Sequence, residues 1–444
     1  MTCAILVSQG DSAKDDRPAI QAAIDGIEAQ GGGVVRLTNG TYYIGPVDGA
    51  TPPSQGAYSI LLGDNVHLVL DDNARIVRRF SGSWVHPTIR NRDITNGNSN
   101  IRITGGTILS ENPVNTGRHL VFIKTSDLEV VGIYFGGVYG NWNTSFSDCT
   151  DVLISNVVMD SGAELTEDGL HFHGGQRIRI LGCSMTCGDD CIALVHESSA
   201  QETNMSDVVI ADCYLHSRAA NALKILVQEG EPETISRVSV SNIVAKSSGA
   251  GLHISDLNDS DRVSNVSIDQ FYIDLSDSVG RAAIIRGCSF VTLSKFCADS
   301  PFQSIGVQSG SNISLLDCQV INPRGDGETC VYVGEVGDCP NLVIQGGSYI
   351  GARAHAIHIG SVGIADNWSV VGVHVQGAIG SCLVVSKGTN GVASGNRLSG
   401  ATGWGIIEVV GTTSYNLYVG NNVRGNTNGI STVGTSEKTA TNLV

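Results

Sequence analysis

From about residue 60 onward, apolar side chains recur in short alternating runs, not in helical stripes. A V/I-x-V/I/L triplet returns along the chain as IRI, LEV, VLI, IRI, VVI, VSV, VSI, VTL, ISL, LVI and WSV. Their third positions are Ile103, Val130, Ile154, Ile180, Ile210, Val240, Ile268, Leu293, Leu315, Ile344 and Val370. Each follows the last by roughly 22 to 30 residues, the interval of a repeat architecture. Strict alternation marks strands with one buried face. Three residues after most triplets comes another core-type side chain: Val157, Cys183, Cys213, Ile243, Phe271, Phe296, Cys318. A second set of runs lies between the triplets: DGLHF, DCIAL, NALKI, AGLHI, CVYV, HAIHI, CLVV and WGII. Several strands per repeat, each stacked on its equivalent about 4.8 Å away, make a parallel β-helix. Crossovers between parallel strands are right-handed. The expected fold is therefore all-β, a single right-handed parallel β-helix of about 12–13 rungs.

One helix interrupts this pattern, at about residues 16–30. Asp16 is a candidate N-cap, Pro18 sits in the first turn where its missing N–H costs nothing, and Gly31–Gly33 stop the helix. Ile20, Ala23, Ile24 and Ile27 fall on one face. The stretch DDRPAIQAAIDGIEAQGGGVVRLTNGTYYI resembles the N-terminal cap of pectin-lyase-like β-helices: a helix, a GGG turn, a Val-rich strand and a G-T-Y strand. A cap answers a physical need, since the end of a stack exposes an apolar cross-section. The expected organisation is a cap over 1–45, a solenoid carrying the active-site groove over 46–432, and a tail over 433–444.

Composition agrees with many turns and few helices. Glycine contributes 55 of 444 residues, above the usual share of about 7%. A formal charge of −16 argues against nucleic acid, which needs a basic footprint, and against a broad basic groove for a polyanion. Local positive charge still suits one acidic sugar. The segment MTCAILVSQGDSAKDD has no basic leader and no long apolar run, so no signal peptide is expected. No stretch of about 18 apolar residues occurs, so no membrane insertion is expected. Location would then be a virion tail, the exterior by another route, or the cytoplasm. Twelve cysteines lack paired CxxC zinc spacing, and several fall in the core column, so buried free thiols are expected.

With the inward residues aligned, the outward columns follow. One stacks Asp168, Asp190, Asn221 and Ala250; another stacks His171, Ala193, Lys224 and His253. Asp189 stands beside Asp190, and His173 extends the same face. A lone Asp-Asp pair reads as a turn or a calcium site. An aspartate one strand spacing from that pair is different, because stacked like charges repel and raise a pKa without helping the fold. A protonated acid beside an ionised base is what glycoside hydrolysis requires. HFH could hold a metal, but strand histidines on a polar groove more often contact sugar or solvent, so neither metal nor cofactor is expected. Lys224 reads equally as a substrate contact or an ordinary surface lysine. Tyr134, Tyr139 and Trp142 form an aromatic-rich loop suited to stacking on a sugar ring or to covering the core.

TEDG, followed by GDDCIAL with Asp189 21 positions after Asp168, resembles the NTDG and DDCIAI motifs of glycoside hydrolase family 28, the polygalacturonase-like enzymes. The resemblance implies Asp189 as general acid, Asp168 and Asp190 holding and deprotonating water, and inversion at the anomeric carbon. The family's GHG histidine falls on Asn221, and its carboxylate-gripping RIK pair falls on His253 and Ser255. His171, His173, Asn221, Lys224, His253, Ser255 and Trp142 are thus the candidate substrate contacts, and the expected partner is a polysaccharide cleaved within an open groove. Two other readings remain open. One is a β-eliminating lyase in which Lys224 or a histidine abstracts the C5 proton. The other is a glycan-binding tailspike, a resemblance that implies a homotrimer.

Overall fold

The computed structural model describes residues 2–8, 10–45, 54, 57–80, 86–111, 117–137, 141–162, 166–197, 203–276, 279–409, 413–433, 435–438 and 442–443. They are almost entirely strand and turn, in two compact units, Met1–Leu223 and Lys224–Val444. Each unit is a parallel β-solenoid whose turns follow the register read from the triplets. In the first unit Ile103, Val130, Ile154, Ile180 and Ile210 are successive partners. In the second, Val240, Ile268, Leu293, Leu315, Ile344 and Val370 continue the same way into Ala393 and Tyr418. All of these side chains are buried. Removing each from water is worth about 1.5–3 kcal/mol for a Val- or Leu-sized group.

The other runs form a second face, counted by 15 strands along the chain, from Ile60–Leu62 to Asn428–Ser431. Among the described residues this face has 15 strands, about one for each solenoid turn, against the 12–13 rungs expected. The lower expectation came from turns without the triplet. Ala393 and Tyr418 occupy the core column without a branched side chain.

Glycine abundance follows from the turns. In the turns from Ser99–Thr104 onward, the residue two past the core-column position often adopts a left-handed conformation. In the first unit this column is Gly105, Gly132, Asn156, Gly182 and Asp212; in the second it includes Asn242, Asp317, Gly346, Gly372 and Gly395. Glycine, Asn and Asp tolerate positive φ at least cost.

The helix is Arg17–Glu28, with Ile20, Gln21, Ile24 and Ile27 buried. Ala23, expected on that face, is only half-buried, and Gln21 takes the place. The reason is polar: Gln21 Nε2 donates to Leu61 O at 3.1 Å, and Leu61 N–H donates to Gln21 Oε1 at 2.8 Å. Glu28 Oε1 accepts from Gly63 N–H at 2.6 Å. The helix thus satisfies the open edge of Ile60–Leu62 while covering the core beneath it. Asp16 precedes the helix without a side-chain cap to it, and instead accepts Tyr43 N–H at 2.7 Å.

Candidate active site

Three successive strands of the smaller face in the first unit, Thr144–Ser147, Leu170–His173 and Ile192–His196, position the chemistry. Thr144, Leu170 and Ile192 are register partners, as are Phe146, Phe172 and Leu194, which fill the core. Phe146 and Phe172 stack with centroids 4.7 Å apart. Between them, Ser145, His171 and Ala193 share the opposite face. The ladder continues before the strands: Asn143 N–H donates to Asp168 O at 2.7 Å, Gly169 N–H to Asp190 O at 2.8 Å, and Cys191 N–H to Asn221 O at 3.1 Å. Carried two residues back, this register aligns Trp142, Asp168, Asp190 and Asn221 in one column. The last three were expected there; Trp142 extends the column by one turn.

Asp168, Asp189 and Asp190 each offer a carboxylate oxygen, and the three oxygens lie within 4.8 Å of one another. Asp168 is held from two sides: its Oδ1 accepts Asp190 N–H at 3.0 Å, and its Oδ2 lies 2.5 Å from His171 Nδ1. Asp190 Oδ1 accepts both Asn221 N–H at 2.9 Å and Asn221 Nδ2 at 2.7 Å. Asn221 therefore orients an acid. Ser217 Oγ donates to Asp189 O at 2.7 Å and accepts Ala220 N–H at 2.9 Å, bracing the turn that presents Asp189. Gly169 is required by close approach, since a Cβ there would stand 2.4 Å from Cys191 O.

The outward face is not an open groove at this level. Asp168, Asp190, His171 and His173 are all buried, while Asp189 and Asn221 are half-buried. Trp142 lies flat on His171, with centroids 3.5 Å apart and planes 10° from parallel, and the His173 ring is 4.4 Å from that of His171. Tyr134 is not part of this cover. It pairs with Val158 on the other face and is exposed. Tyr139 lies outside the described residues.

Several residues of the site went unread in the sequence. Arg118 sits with its guanidinium carbon 4.1 Å from the Trp142 ring and donates from Nε to Asn141 Oδ1 at 3.1 Å. Burial pushes its pKa down to about 10, against the opposing pull of Asp168 and Glu197. Glu197, just past the end of Ile192–His196, has Oε1 3.7 Å from His171 Nε2. Arg118, Glu197, Trp142, His173, Ser145 and Ser147 line a cavity of about 370 Å³. Extending the register of DGLHF one turn back would have found both serines. Arg118 and Glu197 lie outside the strands and carry no periodic signal.

Lys224, His253 and Ser255 belong to the second unit. Lys224 lies half-buried in Leu223–Val227, and His253, also half-buried, pairs with Ile284. Ser255 is fully buried near the end of the strand Leu252–Asp256. All twelve cysteines are free, ten of them buried. The expected column of Cys183, Cys213 and Cys318 is core packing.

Residues 106–206 match the family model for glycosyl hydrolases family 28. A 60-residue stretch is 50% identical to the mannuronan C5-epimerase AlgE3 of Azotobacter vinelandii, spanning 14% of this chain and 3% of that protein. Among solved structures, a tailspike protein variant of E. coli bacteriophage HK620, in complex with hexasaccharide, is similar with TM-score 0.60 and 13% identity. That likeness covers 95% of this chain and 75% of the tailspike chain. A family 28 exopolygalacturonase of Yersinia enterocolitica gives TM-score 0.49 and 12% identity over 98% of this chain and 79% of its own. The likeness to the tailspike protein is one of fold, and the family match spans the acid cluster.

Proposed function

We propose that the protein is a glycoside hydrolase acting on a polysaccharide, with Asp168, Asp189 and Asp190 as its acid–base set. The observation that carries this reading is the meeting of three carboxylate oxygens within 4.8 Å, inside the segment matched by the family 28 model. Glycosidic cleavage by carboxyl groups needs one to act as acid and another as base, and neighbouring carboxyls in unlike surroundings are suited to that division. Asp189 is the most exposed of the three and is the group that donates to the glycosidic oxygen. Asp168 and Asp190, each fixed by neighbours, hold the attacking water and take its proton. Trp142 and the serine-floored cavity beside it supply a sugar-sized recess with an apolar wall.

Inversion is the outcome supported by the family match. The acids here are closer than the roughly 6.5–9.5 Å common in inverting pairs, so the product anomer is worth reading directly. The test is NMR of the first-formed products on a panel of bacterial surface glycans and pectins, with Asp189→Asn alongside. New reducing ends that vanish in a folded Asp189→Asn protein support hydrolysis; unchanged turnover in that variant ends the assignment.

The Asp168–His171 pair favours one second reading. An imidazole whose Nδ1 is held by a carboxylate turns Nε2 into a base, the group that β-elimination on a uronate needs. An unsaturated, ultraviolet-absorbing product would decide for it.

A further inference from the structure

Beside the acids stand two imidazoles and a carboxylate that hydrolysis does not use. His171 and His173 are two apart on one strand, so their rings project from the same face. Glu197 arrives from the end of the next turn. One donor atom from each lies within 4.8 Å of the others. His171 Nε2 and Glu197 Oε1 are 3.7 Å apart. Two ligands of one tetrahedral zinc ion, each bonded at about 2.0–2.2 Å, stand about 3.4 Å from each other, so little movement separates this set from coordination.

The surroundings are those of a metal ligand set. A ligating histidine characteristically passes its second ring nitrogen to a carboxylate, which fixes the tautomer and ring angle. His171 Nδ1 does this with Asp168 Oδ2 at 2.5 Å. Trp142, stacked 3.5 Å from the ring, fixes it against rotation. The His173 ring is held 4.4 Å from that of His171. The cavity of about 370 Å³ borders His173 and Glu197 and leaves one side open. Two nitrogens and one carboxylate with an open side suit zinc, iron(II) or manganese(II); calcium prefers six to eight oxygens (about 2.3–2.6 Å each).

We propose that His171 Nε2, His173 and Glu197 bind one divalent transition-metal ion, with Asp168 as its outer-sphere partner. The open positions face a cavity floored by Ser145 and Ser147 and walled by Arg118, a setting for an oxygen-rich, anionic ligand such as a sugar carboxylate. Asp168 then belongs to both sites, holding the imidazole while facing Asp189 and Asp190. The metal assignment does not depend on hydrolysis, because binding is read without substrate.

The test is calorimetric titration of the chelator-treated full chain with Zn²⁺, and Co²⁺ titration followed by visible absorption. One equivalent of tight zinc is expected, with cobalt bands of a low-coordinate site. His173→Ala should abolish both signals, and Asp168→Asn should weaken zinc by about 10- to 100-fold, the effect of losing an outer-sphere partner. Glu197→Gln, at a half-exposed position, serves as the variant least exposed to misfolding, with circular dichroism as the folding control. Absence of stoichiometric binding to folded wild-type chain overturns the proposal, as does zinc affinity unchanged in folded Glu197→Gln and His173→Ala.

Discussion

Asn221 holds Asp190 through two donors at once, its backbone N–H at 2.9 Å and its side-chain amide at 2.7 Å, both on Oδ1. It stands where the family 28 motif carries a histidine, so an uncharged side chain does the orienting. Hydrogen bonds to a charged group contribute about 1.5–3 kcal/mol each. Asn221→Ala keeps the backbone donor and loses the amide, and kcat is expected to fall about 10- to 100-fold at about 1.4 kcal/mol per factor of ten. Asn221→Asp should be worse, since it adds a fourth acid to the cluster. Steady-state kinetics on any cleaved glycan, with the thermal midpoint as control, checks the order.

Asp189 is the group proposed to donate the proton. Asp189→Asn should lower kcat by about 10²–10⁴-fold, the usual worth of general acid catalysis. KM should change little. A substrate whose leaving group departs without protonation should recover much of the loss.

The core beneath the site is equally testable. Phe172 is fully buried and stacked on Phe146. Phe172→Ala should cost about 3–5 kcal/mol, the range for large aromatic truncations in a core. Urea unfolding followed by far-ultraviolet circular dichroism measures it. Gly169→Ala, which adds a Cβ 2.4 Å from Cys191 O, should destabilise despite its single extra carbon.

His119 makes stability depend on pH. It is fully buried and stacked with Phe135, and burial, aided by the charge of Arg78, pushes its pKa down to about 3. In the unfolded chain the same imidazole takes its proton near about 6.5. Below that pH the unfolded state binds the extra proton and the folded state does not. The stability held by neutral His119 is complete above about 6.5 and is lost progressively as pH falls toward 3. By about pH 5 the loss should reach about 2 kcal/mol. Urea midpoints near neutrality and near pH 5 should diverge in the wild type and diverge less in His119→Phe.

Thiol reactivity checks the packing of the whole chain. Cys3 is exposed and Cys297 half-exposed, while the other ten cysteines are buried. Burial pushes the thiols of Cys149, Cys318, Cys339 and Cys382 up to about 12, which removes their thiolate at neutral pH. A thiol reagent should label Cys3 quickly, Cys297 slowly, and the rest only after denaturation.

What could be read from the sequence was whatever register dictates. The triplet column is the observed core column, and from it Asp168 beside Asp190, with Asn221 next, follows without further information. Properties set by irregular segments were not legible. Nothing in IYFGGVYGNWN says that Trp142 lies flat on His171, yet that contact turns an outward column into a buried one. Arg118 and Glu197 enter the site from positions flanking the strands, where alternation has no meaning. On the helix, periodicity favoured Ala23 over Gln21, because it counts apolar faces and cannot see an amide pairing with Leu61.

Trp142, Asp168, Asp190 and Asn221 each come from a different turn of the first unit. Positions such as Thr144 and Leu170 are equivalents in register, so a deletion that joins them, or a duplication between them, would still stack. What changes is the order of neighbours along the column. Remove the turn that carries Trp142 and the stack closes over the gap, but Asp168 then meets the arginine-bearing turn directly. The acid column is thus assembled in units of whole turns, and losing or gaining one turn would give its members new neighbours while the core stays stacked.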